Sequence, residues 1–431
     1  MTDRDTIFAL SSGQVPAAIA VIRICGPAAL EAARAVTDRA LPAARQAGLR
    51  GIFHPRTREL LDEALLICFP GPRTETGEDQ VELHCHGSRA VVQDVESALA
   101  GLPGLRKAGP GEFTHRAFLN GKIDLAGVEG LGDLVAAETA LQRRAAMAMF
   151  GGGLSSKIAD WTQALRRAAA QIEAQLDFAD EGDVSNGEGL FEILERSKTV
   201  AAQIGRELAK PTSARLKDGI RVAIGGPPNV GKSSLFNALV GRDAAIVSPH
   251  AGTTRDIIEA AISFHGVPFV ISDSAGLHAS DEEIEKIGIG RAEALISQAD
   301  IVLWLGDGED LPETLGVVIP ISSKADLRDG PAGAGIQVST ASGEGIDRVI
   351  ELICTKAASL LPAPGDFALS ERQHAVLRRV EDALHMAATV RDEILIGECF
   401  RQALSSFDEL TGSATTETVL DELFSGFCIG K

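Results

Sequence analysis

The amino-acid sequence predicts a multidomain chain of mixed α/β and α+β class. An N-terminal α+β domain is followed by a discontinuous helical domain, and a phosphate-loop domain with a mostly parallel sheet is inserted into the latter. Three observations predict this. Short β-branched runs mix with helical periodicity over residues 1–118. Residues 216–360 alternate strands and helices, the pattern of a parallel sheet. Helical periodicity fills both flanks, 119–215 and 361–431, as expected when one helical domain carries another inside it.

In the first domain, AAIAVIRI (17–24), EALLICF (63–69) and QVELHCH (80–86) read as strands, and 27–41 and 88–99 as helices. Beyond it, 124–150, 155–176 and 190–208 carry apolar residues at helical spacing, with a polar glycine-containing loop at 181–189. PAPG (362–365) punctuates the chain before the last helical stretches, which run through ETVLDELF.

Size and composition bound the function. At roughly 100–200 residues per domain, 431 residues make two to four domains. Aromatic content is 4% and Tyr is absent, so the cores must rest on Ala, Leu, Ile and Val. A net charge of −19 argues against a broad basic surface and against strong autonomous binding to nucleic acid. If RNA is a substrate, a partner supplies much of the grip. The six cysteines form no C-x-x-C pair, the first residues lack a signal-peptide layout, and no apolar run reaches membrane-spanning length. A cytoplasmic chain with reduced thiols and no membrane association is expected.

The chemistry is concentrated after residue 220. RVAIGG (221–226) is a buried-type strand that runs into Gly226-Pro-Pro-Asn229-Val230-Gly231-Lys232-Ser233, then a helix beginning at Ser234. Glycines let backbone N–H groups wrap phosphates, Lys232 places a charge on the β/γ-phosphates, and Ser233 can ligate Mg²⁺. The helix aims its positive end at the anion. Next, Gly252-Thr253-Thr254-Arg255-Asp256 supplies a switch threonine, Thr254, able to sense the γ-phosphate through Mg²⁺. Asp273-Ser274-Ala275-Gly276 ends a strand as the D-x-x-G that meets Mg²⁺ and γ-phosphate. Ser323-Lys324-Ala325-Asp326 lies where guanine is read, with Asp326 accepting from the base N1 and exocyclic amino groups and Ser323 in place of the usual Asn. Ser339-Thr340-Ala341 loosely matches the last base-contacting loop. GTP and GDP are the expected ligands, and hydrolysis the expected reaction. Leu277 follows the D-x-x-G, where many regulatory GTPases carry a water-orienting Gln, so another group or a cation must serve. Asn229 could ligate a monovalent cation near the β/γ bridge. Glu285 could orient water, the other reading being a solvated helix-face carboxylate.

Outside that region, D-T-I-F-A (5–9), V-I-R-I-C-G-P (21–27), E-T-G-E-D-Q-V-E-L-H-C-H-G (75–87), P-G-E-F-T-H-R-A-F-L-N-G-K-I-D-L (110–125) and F-C-I-G-K (427–431) closely resemble one family over nearly the whole chain. It is the family of tRNA wobble-uridine modification GTPases known as MnmE or TrmE. The resemblance implies an N-terminal domain that dimerises and binds a tetrahydrofolate one-carbon derivative (5-formyl or methylene). It also implies a homodimer whose G domains are potassium-dependent, and a flavin-dependent MnmG or GidA-like partner in a heterotetramer. Together they would add an aminomethyl or carboxymethylaminomethyl group to C5 of the wobble uridine of certain tRNAs. Folate contacts would fall on Arg23, Glu82, Lys122 and Lys431. Potassium would fall on Asn229, Ser248, His250 and Thr253, and Mg²⁺ on Ser233 and Thr254, with Ser248, Pro249, His250 and Ala251 in the switch loop along the nucleotide. Glu285 matches the family's water-orienting glutamate, with Lys232 as the other catalytic residue.

The chain departs from the family pattern at SSGQVPAAIA (11–20), where glycines are usual, and at Ser323 and Ser339-Thr340-Ala341. Cys428 is readable as a nucleophile toward uridine C6, or as a small apolar residue packing near the folate site, which is the reading preferred here. His84, Cys85 and His86 resemble metal ligands, but strand alternation puts Cys85 opposite the two histidines, so they read as structural. Two other functions share this G domain: a regulatory, ribosome-assembly type GTPase, and a folate-dependent one-carbon enzyme in which GTP only regulates. The first usually appends a basic RNA-binding module, which this acidic chain lacks.

Overall fold

The computed structural model describes residues 5–177, 188–242, 245–246, 258–273, 293–306, 311–312, 314, 316–327, 335–363, 365–413, 420 and 423–430. By contacts the chain divides into two units, Met1–Gly132 with Asp408–Lys431, and Asp133–Phe407.

The first unit is built on a six-stranded sheet in the order β3-β4-β5-β2-β1-β6. Its strands are β1 (Thr6–Leu10), β2 (Ile19–Cys25), β3 (Ala47–Phe53), β4 (Leu60–Phe69), β5 (Gln80–His86) and β6 (Leu105–Lys107). Alternation divides β2 cleanly. Ile22 and Ile24 point into a core shared with Leu66, Val81, Leu83 and Cys85, which helices α1 (Ala29–Val36) and α2 (Arg89–Ala100) cover. Each fully buried Ile or Leu there contributes about 2 kcal/mol. Arg23, between them, lies on the other face, in register with Glu82 of β5. On that face Ile7, Ala9, Cys25, Ala108 and Phe113 form a smaller core.

The second unit holds a seven-stranded sheet in the order β13-β12-β11-β7-β10-β9-β8. Its strands are β7 (Ile220–Gly225), β8 (Ala245–Ile246), β9 (Ile258–Phe264), β10 (Val267–Asp273), β11 (Ile301–Leu305), β12 (Val317–Ser322) and β13 (Ile336–Gln337). Strand pairs β10–β7, β7–β11, β11–β12 and β12–β13 are parallel, whereas β9 runs antiparallel to both β10 and β8. This is the mostly parallel sheet that the alternating pattern predicts. The chain reaches β7 through a short helix, 214–218, that is tied down at three points. Gln142 Nε2 donates to the Leu216 carbonyl at 2.9 Å, Lys217 Nζ meets Asp133 at 2.6 Å, and Arg215 Nε meets Asp300 at 2.7 Å. Elsewhere in this unit long helices pack on one another. Trp161 (on 153–177) donates to Gln203 (on 188–208) at 2.8 Å and stacks on Phe407 with ring centroids 6.1 Å apart.

Two helical expectations need correction. The stretch 124–150 is two helices, Leu125–Ala136 and Ala140–Phe150. Thr139 starts the second, its side chain accepting from Gln142 N while Gln142 reciprocates, and this capping box stops the chain from continuing as one helix. The helix expected over 27–41 ends at Val36, because Thr37 turns extended and bridges to Ile52.

A buried carboxylate ties the first unit together. Glu112, 7% exposed, opens the helix Glu112–Leu119 and accepts from Arg106 Nη1 and Nη2 at 2.8 and 2.5 Å, Arg116 Nη2 at 3.2 Å and Gly109 N at 2.9 Å. Burial by itself raises its pKa. The Arg106 and Gly109 hydrogen bonds and the two guanidinium charges outweigh that and hold it below the usual carboxylate value. A depressed folded pKa gives stability that is present above the unfolded value and lost as pH falls through the folded one. Glu112→Gln should therefore lower the first calorimetric transition at pH 7, by about 2 kcal/mol, and flatten its dependence on pH in the acid range. A transition unchanged at pH 7 would show that the Arg106 and Arg116 contacts do not stabilise the unit.

Candidate nucleotide site and the motif cluster of the first unit

The phosphate loop follows from two glycines. β7 ends at Gly225, and Gly226 takes φ 136°, with its α-carbon so close to the Leu305 carbonyl oxygen of β11 that no Cβ fits. Gly231 takes φ 108° and caps the helix α3 (Lys232–Val240). Between them the loop curls around its own lysine. Lys232 is buried, and its ammonium donates to the carbonyls of Gly226 and Pro227, both at 2.9 Å. Burial lowers its pKa, and the charge of Asp273 works in the opposite direction. Asp273 is fully buried at the end of β10, in register with Ile224 of β7. Two opposite charges thus stand at the carboxyl ends of neighbouring parallel strands, where open α/β sheets bind ligands. Ser233 and Ser234 are exposed in the first turn of α3, where free N–H groups and the helix dipole favour an anion. A serine hydroxyl and an aspartate carboxylate are hard oxygen donors and fit Mg²⁺.

The segment Ser323–Asp326, where the sequence leads one to expect base recognition, is fastened to this loop. After β12, the Ser323 hydroxyl donates to the Val230 carbonyl at 2.7 Å. Lys324, at φ 57°, sends its ammonium to the Asn229 carbonyl at 3.1 Å. Asn229 itself has φ 58° and is exposed, leaving its amide side chain accessible to a cation. Residues Ala325–Leu327 form one 3₁₀ turn that presents Asp326 to solvent. Val338 bonds to both sides of the turn, N–H to Ser322 O at 2.9 Å and carbonyl to Ala325 N at 3.1 Å. Buried Ser339 accepts from Ser342 N at 3.2 Å and leaves Thr340 and Ala341 exposed beside it. The structure thus brings together Asn229, Val230, Gly231, Lys232, Asp273, Ser323 and Lys324, with Asp326 and 339–341 on adjoining turns. Ser248, Pro249, His250, Ala251, Gly252, Thr253, Thr254, Ser274, Ala275, Gly276, Glu285 and Lys431 lie outside the described residues.

In the first unit the family-like motifs meet one another. Arg23 donates to Glu75 at 3.0 Å and to Glu82 at 3.2 Å, and its guanidinium carbon lies 5.7 Å from the Phe113 ring centre. Lys122 donates to the Pro72 carbonyl at 2.7 Å, and Asn120 of the same F-L-N-G-K donates to Thr76 O at 2.7 Å. Arg23 and Lys122 therefore hold the same loop, 71–79, from two directions. The last motif joins the unit elsewhere. Ile429 bridges antiparallel to Pro110, and Gly111 N donates to Cys428 O at 3.4 Å. Cys428 is exposed, which corrects the expectation that it packs as an apolar residue. His84 is bound to Glu82 at 3.2 Å and His86 to Asp62 at 2.7 Å, while Cys85 is buried on the other side with its pKa pushed up to about 12, chiefly by burial. No cluster of three or more His, Cys, Asp or Glu placed to hold a metal ion occurs among the described residues.

Sequence reasoning missed Gln80. It is buried, its amide donates to Glu82 at 3.3 Å, and its Oε1 is buried without a partner, as is Nε of Arg23. An unmatched donor and an unmatched acceptor around Glu82 fit a ligand with mixed hydrogen-bonding edges, such as a pterin. Strand alternation from Glu82 back to Gln80 was the signal that could have found it.

Lys232→Ala should weaken GDP binding by about 10- to 100-fold, the range for hydrogen bonds to a charged group. Phosphate favours the ammonium form, so in the unsubstituted protein binding takes up a proton at alkaline pH, and affinity falls as pH rises through the lowered pKa. Titration with GDP across alkaline pH checks both, and an affinity independent of pH there would rule out Lys232 as the phosphate-side charge.

Comparison with known proteins spans this whole arrangement. A family model described as "GTP-binding protein TrmE N-terminus" matches residues 6–122, and one described as "MnmE helical domain" matches 125–428. Proteins named tRNA modification GTPase MnmE are similar along their full length. That of Zymomonas mobilis is 47% identical over 99% of this chain and 100% of its own. That of Erythrobacter litoralis is 48% identical with the same coverage, and that of Rhizorhabdus wittichii is 50% identical over 99% and 97%. No described helix is long and apolar enough to cross a membrane. With the nucleotide loop and the clustered N-terminal motifs matched from one end to the other, the chain belongs to the MnmE family of tRNA modification GTPases.

Proposed function

We propose that this chain is a potassium-activated GTPase of the cytoplasm that, with a flavin-dependent partner, modifies C5 of the wobble uridine of certain tRNAs. The group added is aminomethyl or carboxymethylaminomethyl. The observation that carries the reading is the full-length likeness to tRNA modification GTPases. The convergence of the V-I-R-I, T-G-E-D and F-L-N-G-K motifs on one loop of the first unit supports it.

Lys232 holds the β/γ-phosphates, Ser233 and Thr254 hold Mg²⁺, and Asp326 reads the base. Asn229, with Ser248, His250 and Thr253, holds potassium. Arg23, Glu82, Lys122 and Lys431 hold the folate, with Gln80 adding a buried amide beside Glu82. When bound, potassium and Mg²⁺ supply positive charge against the developing phosphate charge, and the tetrahydrofolate derivative supplies a one-carbon unit. Glu285 orients the attacking water, a task that Leu277 cannot perform. GTP draws the G domains of a homodimer together, and the movement passes through the helical domain toward the folate and partner sites. The acidic chain leaves most of the grip on tRNA to the assembled heterotetramer.

Nucleoside mass spectrometry of total tRNA from cells lacking the gene tests the reading. The wobble-uridine C5 modification should disappear, return with an intact copy, and stay absent with a Lys232→Ala copy. An unchanged nucleoside profile in the deletion would move the assignment to a regulatory GTPase. Separately, Asn229→Ala should abolish potassium stimulation of GTP hydrolysis, and stimulation that survives would remove Asn229 from the cation site.

A further inference from the structure

We infer that Ser323 is a positioning residue that locks the phosphate loop to the base-reading turn, and that it takes no part in reading the base. The inference rests on the nucleotide-binding reading and concerns how that site divides its work.

A serine hydroxyl carries one proton and two lone pairs. In Ser323 the proton is committed to the Val230 carbonyl at 2.7 Å, the residue next to Gly231 at the mouth of the loop. The guanine edge that such a residue could meet, N7 and O6, consists of acceptors only. Lone pairs cannot donate to acceptors, so while the tether stands Ser323 has nothing to offer the base. An asparagine there would have two N–H donors, one for Val230 and one to spare. This chain therefore keeps the mechanical half of the usual asparagine and drops the recognition half.

Lys324 reinforces the same division. Its ammonium lies on the Asn229 carbonyl at 3.1 Å, so adjacent carbonyls of the phosphate loop, 229 and 230, are both held by adjacent residues of the base-reading segment. Gly231 packs directly against this fastening, with Ser323 Cβ 4.0 Å from where its own Cβ would stand. Discrimination among purines then falls on Asp326, which faces solvent on the next turn and is free to accept from the N1 and exocyclic amino groups.

The test is calorimetric titration of the full chain with GDP, with 7-deazaguanosine diphosphate, which lacks the N7 acceptor, and with inosine diphosphate, which lacks only the exocyclic amino group. Ser323→Ala should weaken GDP and its 7-deaza analogue by one common factor, about fivefold, leaving their ratio at the parent value. Ser323→Asn keeps the tether and adds a donor, and should bind GDP at least as tightly as the parent, which serves as the check if the alanine variant fails to fold. Asp326→Ala should bring the GDP and inosine diphosphate affinities together. An unchanged affinity in Ser323→Ala, a change in its ratio of GDP to 7-deaza analogue, or weaker GDP binding by Ser323→Asn would overturn the inference. A parent chain that binds none of these diphosphates would overturn the nucleotide reading and this inference with it, whereas failure of the tether alone leaves parent binding intact.

Discussion

The buried ammonium of Lys232 is the constraint around which the G-domain site is arranged. A charge that far from solvent must be matched, and two carbonyls of its own loop do so at 2.9 Å. For those carbonyls to face inward the chain must reverse at Gly226 with a positive φ, pressed against β11, and turn again at Gly231 to start a helix. The order β11-β7-β10 puts Asp273 on the next strand end, where its charge eases that of the lysine. A phosphate bound there would replace weak carbonyl dipoles with full negative charge at a prepared position.

The first unit solves its electrostatics differently. Three guanidinium groups there are each shared between carboxylates: Arg23 between Glu75 and Glu82, Arg106 between Asp5 and Glu112, and Arg116 between Glu78 and Glu112. Three of these six pairs, Arg23 with Glu75 and with Glu82 and Arg116 with Glu78, join two different motif blocks, so the sequence signature and the charge network overlap. Cys25 lies within it, bound to Thr76 and Glu78, with burial first among the causes that push its thiol up to about 12. That thiol is inert filler, and the exposed Cys428 is chemically more accessible.

Much of this was legible in the sequence because the physics is local. A strand, a glycine loop and a helix in direct succession need no tertiary information, and β7, the loop and α3 stand where the motif puts them. The same holds for β2, β5 and α2. What was not legible depends on distant partners or on weak local preference. Ala47–Phe53, with two glycines and an arginine, has little strand character and is extended because β4 pairs with it along its length. The break at Thr139 was encoded in a T-x-x-Q box, but apolar periodicity on both sides hid it. In the N-terminal motif cluster, Arg23 and Glu82 could be named from their blocks, whereas Glu75 and Gln80 are defined only by what folds against them.

The meeting of Pro110 and Gly111 with residues 428 and 429 carries a consequence for biosynthesis. The ribosome releases the six strands of the first sheet early, yet the segment that closes over the 110–111 corner is translated after the entire nucleotide-binding region. Until then Gly111, which Phe424 crowds so tightly that a Cβ would lie 2.7 Å from its carbonyl oxygen, has an open flank. The first unit to be synthesised is thus the last to be finished, and chains stalled or clipped ahead of residue 424 would carry an intact nucleotide loop on an unsealed N-terminal unit.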